Sequence, residues 1–257
     1  MSHSTHCLKL VGASPVLALA LLATAGAPAA GAAQCSAQSA ATLTPVVELY
    51  TSEGCSSCPP ADRWLSKFKN DPDVVALAFH VDYWDRLGWK DRFASSAYTQ
   101  RQAQQQLSNG ARFSYTPQVV IDGVDRPAWH SIGAPSLARG RAAASVDIQL
   151  TREGSVVQAT VKPRPGAPAR LAAYWSVTEN DHNTSVKAGE NEGATLNHDF
   201  VVRRFVPVAA WNAANLAPAS LRLDMEPAPP GARPRLVNLV IVDAATQKPL
   251  QALKLGC

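Results

Sequence analysis

Two cysteines followed at once by two prolines fix where a helix begins in this chain. Cys55 and Cys58 are separated by two serines, and Pro59 and Pro60 come next. Proline is tolerated in the first turn of a helix, where its missing amide has no intrahelical partner, and it breaks a helix interior. Residues 43–50 form an apolar run typical of a short buried strand, and the residues after the prolines place one apolar stripe on a helix. That stripe consists of Ala61, Trp64, Leu65 and Phe68. The sequence therefore predicts a strand, a turn and a helix with both cysteines at the turn.

The next elements extend this into a βαβ unit. Residues 74–81 are almost continuously apolar, as a parallel strand covered on both faces requires. A polar, glutamine-rich helix is predicted at about 96–107, and residues 118–121 are a further strand. Asp122-Gly123 is a two-residue hairpin turn. A last helix, at about 136–145, closes this domain.

The pattern of predicted secondary structure changes after residue 145. Short β-rich runs are separated by glycine, proline and asparagine, which predicts a small antiparallel β-sandwich over residues 146–257. The runs are residues 147–150, 157–161, 171–177, 200–206, 221–225 and 236–242.

Residues 1–33 have the composition of a secretory signal peptide. Lys9 and two histidines precede the apolar residues 16–22, and small residues follow as far as Ala33, near which we expect cleavage. A membrane anchor is the alternative, but Gly26 and Pro28 interrupt the apolar segment before the roughly 20 residues that a span needs. We therefore expect a periplasmic or secreted protein without a membrane span.

The charge of the mature chain favours neither nucleic acid nor membrane as a partner. Removing the signal takes away Lys9 and no acidic residue, so the formal net charge falls by one from +4 to +3. The charges are mixed along the chain and form no basic tract of the kind that binds nucleic acid or an anionic membrane.

The cysteine count suggests disulfide pairing in an exported protein. Five cysteines become four once Cys7 leaves with the signal, and an even number is typical of paired cysteines. Besides Cys55 and Cys58, this leaves Cys35 and Cys257, for which we predict a structural disulfide. It would contribute up to roughly 5 kcal/mol on the loop-entropy model. The alternative is two free or intermolecular thiols.

The Cys55-Ser-Ser-Cys58 pair is placed for thiol–disulfide chemistry. At the beginning of a helix the first sulfur meets unpaired amides and the positive end of the helix dipole, which lower its pKa. Cys55 is then the attacking thiol and Cys58 the resolving one. The alternative, half of a zinc site, lacks a second cysteine pair. His80 and Asp82 share one strand face, but a structural role is favoured for each, so no metal or other cofactor is predicted.

The order of the predicted elements resembles the thioredoxin superfamily. Strand, cysteine pair, helix, strand and helix are followed by Thr116-Pro117 at the start of a further strand. The phrases ELYTSEGCSSCPPAD, HVDYWDRLGWKDRF and YTPQVVIDG, between residues 46 and 123, resemble exported proteins of the family called domain of unknown function 1223 (DUF1223). The resemblance implies an α/β thioredoxin-like domain over residues 42–145, a central mixed sheet flanked by helices. It also implies that Pro117 is cis against the cysteine pair and that Thr116 offers its backbone to an extended peptide.

Two features depart from typical thioredoxins. Those proteins place a buried acid six residues before the first cysteine, where it moves the proton of the resolving thiol. Here Leu49 has that spacing, and Glu48 lies one residue further away. Glu48 takes this role if the loop is one residue longer, and is otherwise an edge-facing or salt-bridged glutamate. Pro59 also removes one amide from the beginning of the helix.

The tryptophan-rich loop at residues 83–89 is a candidate for substrate contact. Aromatic side chains on a loop beside a reactive pair can hold a client chain, so Trp84, Trp89 and Tyr115 are the predicted substrate-binding residues. The alternative is that Trp84 and Trp89 pack between the two domains.

Three functions fit these features. The first is an exported oxidoreductase that acts on protein or small-molecule thiols and disulfides and works with a redox partner protein. Its catalytic residues are Cys55, Cys58, Thr116, Pro117 and Glu48. The second is a Cu(I)-binding protein in which His80 is a third ligand. The third is a scaffold with a structural disulfide and no redox turnover.

Overall fold

The computed structural model describes residues 1–4, 34–227 and 231–257, and most of its regular structure is β-strand. The predicted cleavage site near Ala33, and all but the first four residues of the predicted signal peptide, lie outside these residues. The helices are α1 (Pro59–Ser66), α2 (Ser96–Ser108) and α3 (Ala134–Ala138). The strands are β1 (Gln34–Gln38), β2 (Val46–Thr51), β3 (Val75–His80), β4 (Gln118–Ile121), β5 (Val124–Asp125), β6 (Val146–Glu153), β7 (Val156–Pro163), β8 (Arg170–Glu179), β9 (His182–Ser185), β10 (Thr195–His198), β11 (Val201–Asn212), β12 (Ala219–Asp224), β13 (Arg235–Asp243) and β14 (Pro249–Gly256).

One mixed sheet of eight strands runs through the structure in the order β14-β13-β8-β11-β3-β2-β4-β5. β2 and β3 are parallel, and β4 is antiparallel to β2 with Gln118 opposite Tyr50. β11 joins the sheet beside β3, where Val201 lies opposite Ala78, and it pairs with β8 along most of its length.

A second sheet packs against part of the eight-stranded sheet. It has the order β1-β6-β7-β12 and is antiparallel throughout. Its alternating inward residues, such as Ile148 and Val161, form a core with β8 and β13, in which Trp175 is the largest side chain. β9 and β10 make a separate two-stranded sheet.

Helices α1 and α2 pack on opposite faces of β2, and α2 also reaches β8 and β11 through Arg101 and Tyr98. Along β2, alternate side chains point to opposite faces. Val47 and Leu49 pack with Trp64 and Leu65 of α1, whereas Tyr50, on the other face, shares a core with Tyr98 of α2. Every residue of β2 is therefore buried.

The predicted fold class is wrong. The protein is mostly β, and it is not an α/β thioredoxin-like domain of helix-flanked sheet followed by a separate small sandwich. The predicted helix at 136–145 is reduced to the five residues of α3. The free edge of β3 exposes hydrogen-bonding groups that need a partner, and β11 supplies it, so that β8, β13 and β14 continue the same sheet.

Several local predictions are confirmed. α1 begins at Pro59, and Ala61, Trp64, Leu65 and Phe68 are all buried on one face. β4 occupies residues 118–121, and the turn after it has positive φ at both Asp122 (52°) and Gly123 (77°), the geometry of a tight hairpin. A disulfide joins Cys35 in β1 to Cys257, the residue after β14.

Among the described residues no helix is long and apolar enough to cross a membrane.

Candidate functional site

Cys55 and Cys58 form a disulfide in the turn between β2 and α1. The Cys55 amide donates to the Ser52 carbonyl at 3.2 Å, and the Cys58 carbonyl accepts from the amides of Ala61 and Asp62, which are in the first turn of α1. Both cysteines have no solvent-exposed surface. The pair is thus held by backbone hydrogen bonds at the positive end of a helix and lies beneath neighbouring side chains.

Thr116 reaches the sulfur of Cys55. Its hydroxyl donates to Cys55 Sγ at 3.4 Å and accepts from the indole Nε1 of Trp84 at 2.8 Å. Because Trp84 donates to the hydroxyl oxygen, the hydroxyl proton is available for the sulfur. Ser57 Oγ is a second hydroxyl close to this sulfur, 3.4 Å from Cys55 Sγ. The Thr116–Pro117 peptide bond is cis, as the resemblance implied.

A loop from the second half of the chain lies on the cysteine pair. Residues 186–194 join β9 to β10, and Glu190 accepts hydrogen bonds from the amide (3.1 Å) and hydroxyl (2.8 Å) of Ser56. Asn191 Nδ2 donates to the carbonyl oxygens of Glu53 (2.9 Å) and Cys55 (3.0 Å). This loop, which we call the β9–β10 loop, therefore fixes the backbone on both sides of Cys55.

Buried acidic and histidine side chains lie next to the turn. His198 of β10 is 2% exposed, with Nε2 3.5 Å from Glu53 Oε1 and Nδ1 3.8 Å from Asp62 Oδ1. These are ion-pair distances, and both ring nitrogens lack a hydrogen-bond partner among the described residues. A second pair lies beside it, where His80 Nδ1 is 2.7 Å from Asp91 Oδ2 and the two imidazole rings are 4.9 Å apart.

The charges in this cluster support one another. Burial lowers the pKa of His198, but Asp62 and Glu53 raise it to about 9, so the ring is cationic at neutral pH. Burial raises the pKa of Asp91, yet the His80 ring and the amides of Glu53 and Phe93 lower it to about 2. Glu53 has its pKa lowered despite burial, through His198 and the Trp89 indole.

Glu48 is not brought to the cysteine pair. It shares the face of β2 occupied by Tyr50, whereas Thr51, on the other face, contacts Asp62 of α1. Its carboxylate accepts from Arg101 Nη2 at 2.7 Å, from the hydroxyls of Tyr50 and Tyr174, and from Gln105. Burial raises the pKa of Glu48, but the Arg101 charge and these hydrogen bonds hold it below its usual range. The carboxylate is thus part of a buried ion pair.

Of the three predicted substrate-binding residues, Trp84 and Trp89 contact the segment that carries the cysteine pair, whereas the Tyr115 hydroxyl is bonded elsewhere. Trp84 packs on Gly54, where an added Cβ would lie 3.1 Å from Trp84 Cβ, a tighter contact than most real Cβ atoms make. Trp89 donates to Glu53 Oε2 at 2.8 Å and contacts Gly189 of the β9–β10 loop. The Tyr115 hydroxyl instead donates to the carboxylate of Asp125.

The described residues contain no group of three or more His, Cys, Asp or Glu side chains arranged to hold a metal ion. His80 is hydrogen-bonded to Asp91, and Asp82 Oδ1 accepts from the Thr99 hydroxyl at 2.6 Å. The two side chains considered as ligands therefore have separate structural partners.

Residues 46–241 match the family described as protein of unknown function, DUF1223. The chain belongs to the DUF1223 family. The match confirms that part of the resemblance and extends it well beyond the three phrases that suggested it, through β11 into β13. The site of this DUF1223 protein, including the β9–β10 loop, lies wholly within the matched residues.

Two solved structures are similar to this DUF1223 protein. The crystal structure of protein AGR_C_4864 from Agrobacterium tumefaciens is 26% identical, with 83% of this chain and 94% of that chain covered and a TM-score of 0.64. HBP35 of Porphyromonas gingivalis is 16% identical, with 84% of this chain and 76% of that chain covered and a TM-score of 0.59, a likeness of fold alone. Among curated proteins, none matches this chain.

Sequence reasoning missed Glu190, Asn191 and His198. They lie more than 130 residues after Cys55, and only the position of β9 and β10 brings them to it. Glu53 and Asp62 were visible as acidic residues flanking the cysteine pair, but nothing in the sequence indicated that both are buried.

Proposed function

We propose that this protein is an exported thiol–disulfide oxidoreductase that exchanges disulfides with protein or small-molecule thiols. The observation that carries the proposal is the Thr116 hydroxyl, which donates to Cys55 Sγ in the Cys55–Cys58 disulfide. A structural disulfide needs no such donor, whereas a thiolate is stabilised by one. Export is supported by the second disulfide, Cys35–Cys257, because disulfides persist in oxidising compartments.

The reaction proceeds by two exchanges. A client thiolate attacks Cys55 Sγ, the bond to Cys58 breaks, and its electron pair leaves with Cys58, which takes up a proton. A second client thiolate then attacks the client sulfur of the mixed disulfide and releases Cys55 as a thiolate. The client loses two electrons and forms a disulfide, and the protein gains them as a dithiol. A redox partner protein or glutathione disulfide reoxidises the pair by the reverse steps.

The surrounding residues have distinct roles in this scheme. Thr116 stabilises the Cys55 thiolate when it forms, and Trp84 orients the Thr116 hydroxyl. Pro117 shapes the surface beside the pair. Trp84, Trp89 and Tyr115 are the proposed contacts for a client chain.

The test is catalysis of dithiol oxidation. A peptide with two cysteines and a fluorophore–quencher pair is oxidised by glutathione disulfide, with the purified mature protein added in catalytic amounts. We expect multiple turnovers with the wild type, none above background with Cys55→Ser, and retained turnover with the Cys35→Ala/Cys257→Ala control. The proposal is overturned if a folded wild type shows no turnover in this assay and none in the reverse assay, in which it would reduce a disulfide peptide.

The same samples distinguish the alternatives. Stoichiometric Cu(I) retained by the reduced wild type against a competing chelator, without turnover, would indicate a Cu(I)-binding protein. Neither turnover nor Cu(I) retention would indicate a scaffold with a structural disulfide.

A further inference from the structure

Glu190 places a carboxylate directly on the Cys55-Ser-Ser-Cys58 segment. It accepts from both the amide and the hydroxyl of Ser56, the residue next to Cys55 in the chain. These bonds to Ser56 lower the pKa of Glu190, so it is anionic at neutral pH. The exposed surface next to the buried cysteine pair therefore carries a negative charge.

The segment that covers Cys55 carries this charge. Cys55 has no exposed surface, and the β9–β10 loop that carries Glu190 holds the Cys55 carbonyl through Asn191. Ser56 and Glu190 are both exposed, so they form part of the outer surface at this point. A nucleophile that attacks Cys55 therefore does so beside a residue that is bonded to the Glu190 carboxylate.

Two other sets of charged groups lie near the turn. Glu53 and Asp62 are buried, and each is within ion-pair distance of the cationic His198, so that positive charge already has acidic partners. Within the described part of the chain, no hydrogen bond joins Lys187 or Glu192 of the same loop to the cysteine segment, and both are exposed.

We propose that Glu190 is a specificity-determining residue that disfavours attack on Cys55 by anionic thiols and favours thiols carrying positive charge. The inference rests on the proposed function and names its substrate class: cysteines flanked by lysine or arginine, and cationic small thiols. Opposite charges attract and like charges repel, and the Glu190 carboxylate is bonded to Ser56, the residue next to Cys55, so it can act on a charged nucleophile there. Salt screens this interaction.

The experiment measures the rate at which three thiols reduce the Cys55–Cys58 disulfide of the full mature protein. The thiols are cysteamine, 2-mercaptoethanol and 3-mercaptopropionate, whose thiolate forms carry net charges of about 0, −1 and −2 at neutral pH, where the amine is protonated and the carboxyl ionised. Glu190→Gln keeps an acceptor for Ser56 and removes the charge. Glu192→Gln removes the same charge two residues along the same loop and is the matched control.

The readout is the ratio of the cysteamine rate constant to that of 3-mercaptopropionate, each corrected for its thiolate fraction. Comparing one ratio across variants cancels differences in thiol reactivity and in access to the sulfur. We expect the ratio to fall by about threefold or more in Glu190→Gln, as removal of one nearby charge predicts. We expect it to stay unchanged in Glu192→Gln. Added salt should lower the ratio in the wild type and in Glu192→Gln, which both keep Glu190, but not in Glu190→Gln.

Two results overturn the inference while leaving the proposed function intact: an unchanged ratio in Glu190→Gln, or an equal fall in both variants. Failure of all three thiols to reduce the wild type would instead overturn the proposed function, and the inference with it.

Discussion

The Thr116 hydroxyl donates a hydrogen bond to the sulfur of Cys55 across 3.4 Å. This hydroxyl is oriented by Trp84, whose indole donates to the same oxygen. Thr116, just before β4, and Trp84, in the tryptophan-rich loop, are thus joined to the sulfur of Cys55. Three separate segments of the sequence therefore meet at one site.

Replacing Thr116 by valine should raise the pKa of the Cys55 thiol by about one unit, because a hydrogen bond to a thiolate is lost without change of shape. Trp84→Phe should cause a smaller rise, since the hydroxyl then loses its orienting donor. The pKa is measured from the pH dependence of iodoacetamide alkylation of the reduced protein. Ser114→Ala, which removes a hydroxyl bonded to Gln106 instead, is the control. An unchanged pKa in Thr116→Val would show that this contact does not stabilise the thiolate.

The disulfide between Cys35 and Cys257 should contribute to stability without affecting redox chemistry. It closes a loop with a sequence separation of 222 residues, for which the loop-entropy model gives about 5 kcal/mol as an upper value. We expect urea unfolding of Cys35→Ala/Cys257→Ala to show a reduced free energy of unfolding, with the reduction potential of the other pair unchanged. A shifted potential would contradict this independence.

The buried pair of Glu48 and Arg101 should be structural. Arg101→Met leaves a carboxylate buried without its cation and is expected to lower the free energy of unfolding by about 3–5 kcal/mol. The same change at the exposed Arg112 is the control. Glu48→Gln should likewise reduce stability but leave the rate of disulfide reduction unchanged. A folded Glu48→Gln protein with a strongly reduced rate would favour the proton-carrying role predicted from the sequence.

Stability should fall at alkaline pH because of His198. Its folded pKa is about 9, above the unfolded value near 6.5. A raised histidine pKa contributes stability that is fully present below the unfolded pKa and is lost as pH rises through the folded pKa. The contribution, on the order of 3 kcal/mol, should therefore disappear between about pH 6.5 and 9.

The measurement for His198 is urea unfolding from pH 6 to 10. His198→Gln should flatten this pH dependence, whereas His130→Gln, which replaces an exposed histidine, should preserve it. If the wild type and His198→Gln lose stability in parallel over this range, the raised pKa is not responsible.

Local structure around the cysteine pair was predictable because each signal acts over a few residues. Pro59 and Pro60 fix the beginning of α1, and Asp122-Gly123 fixes the hairpin between β4 and β5. The even cysteine count favoured pairing Cys35 with Cys257, the pairing present in the structure.

The fold class was not predictable from those signals. Nothing in the β-rich run at residues 200–206 indicates that Val201 lies beside Ala78 in a parallel pair, since strand partners depend on tertiary packing. β9 and β10 were missed altogether because their sequences, HNTS and TLNH, are polar and lack an apolar alternation. Without them, the Glu190 and Asn191 contacts could not be placed on the cysteine pair.

The reduction potential of the Cys55–Cys58 pair decides whether this disulfide exchanges with thiols or is structural. The mature protein and its Cys55→Ser variant are equilibrated in glutathione buffers of graded ratio, free thiols are trapped with a mass tag, and the oxidised fraction is fitted. We expect a reversible two-electron transition between about −120 and −270 mV, the range of working oxidoreductases, and no such transition in the variant. A pair that stays oxidised below about −300 mV would contradict it and leave a structural disulfide.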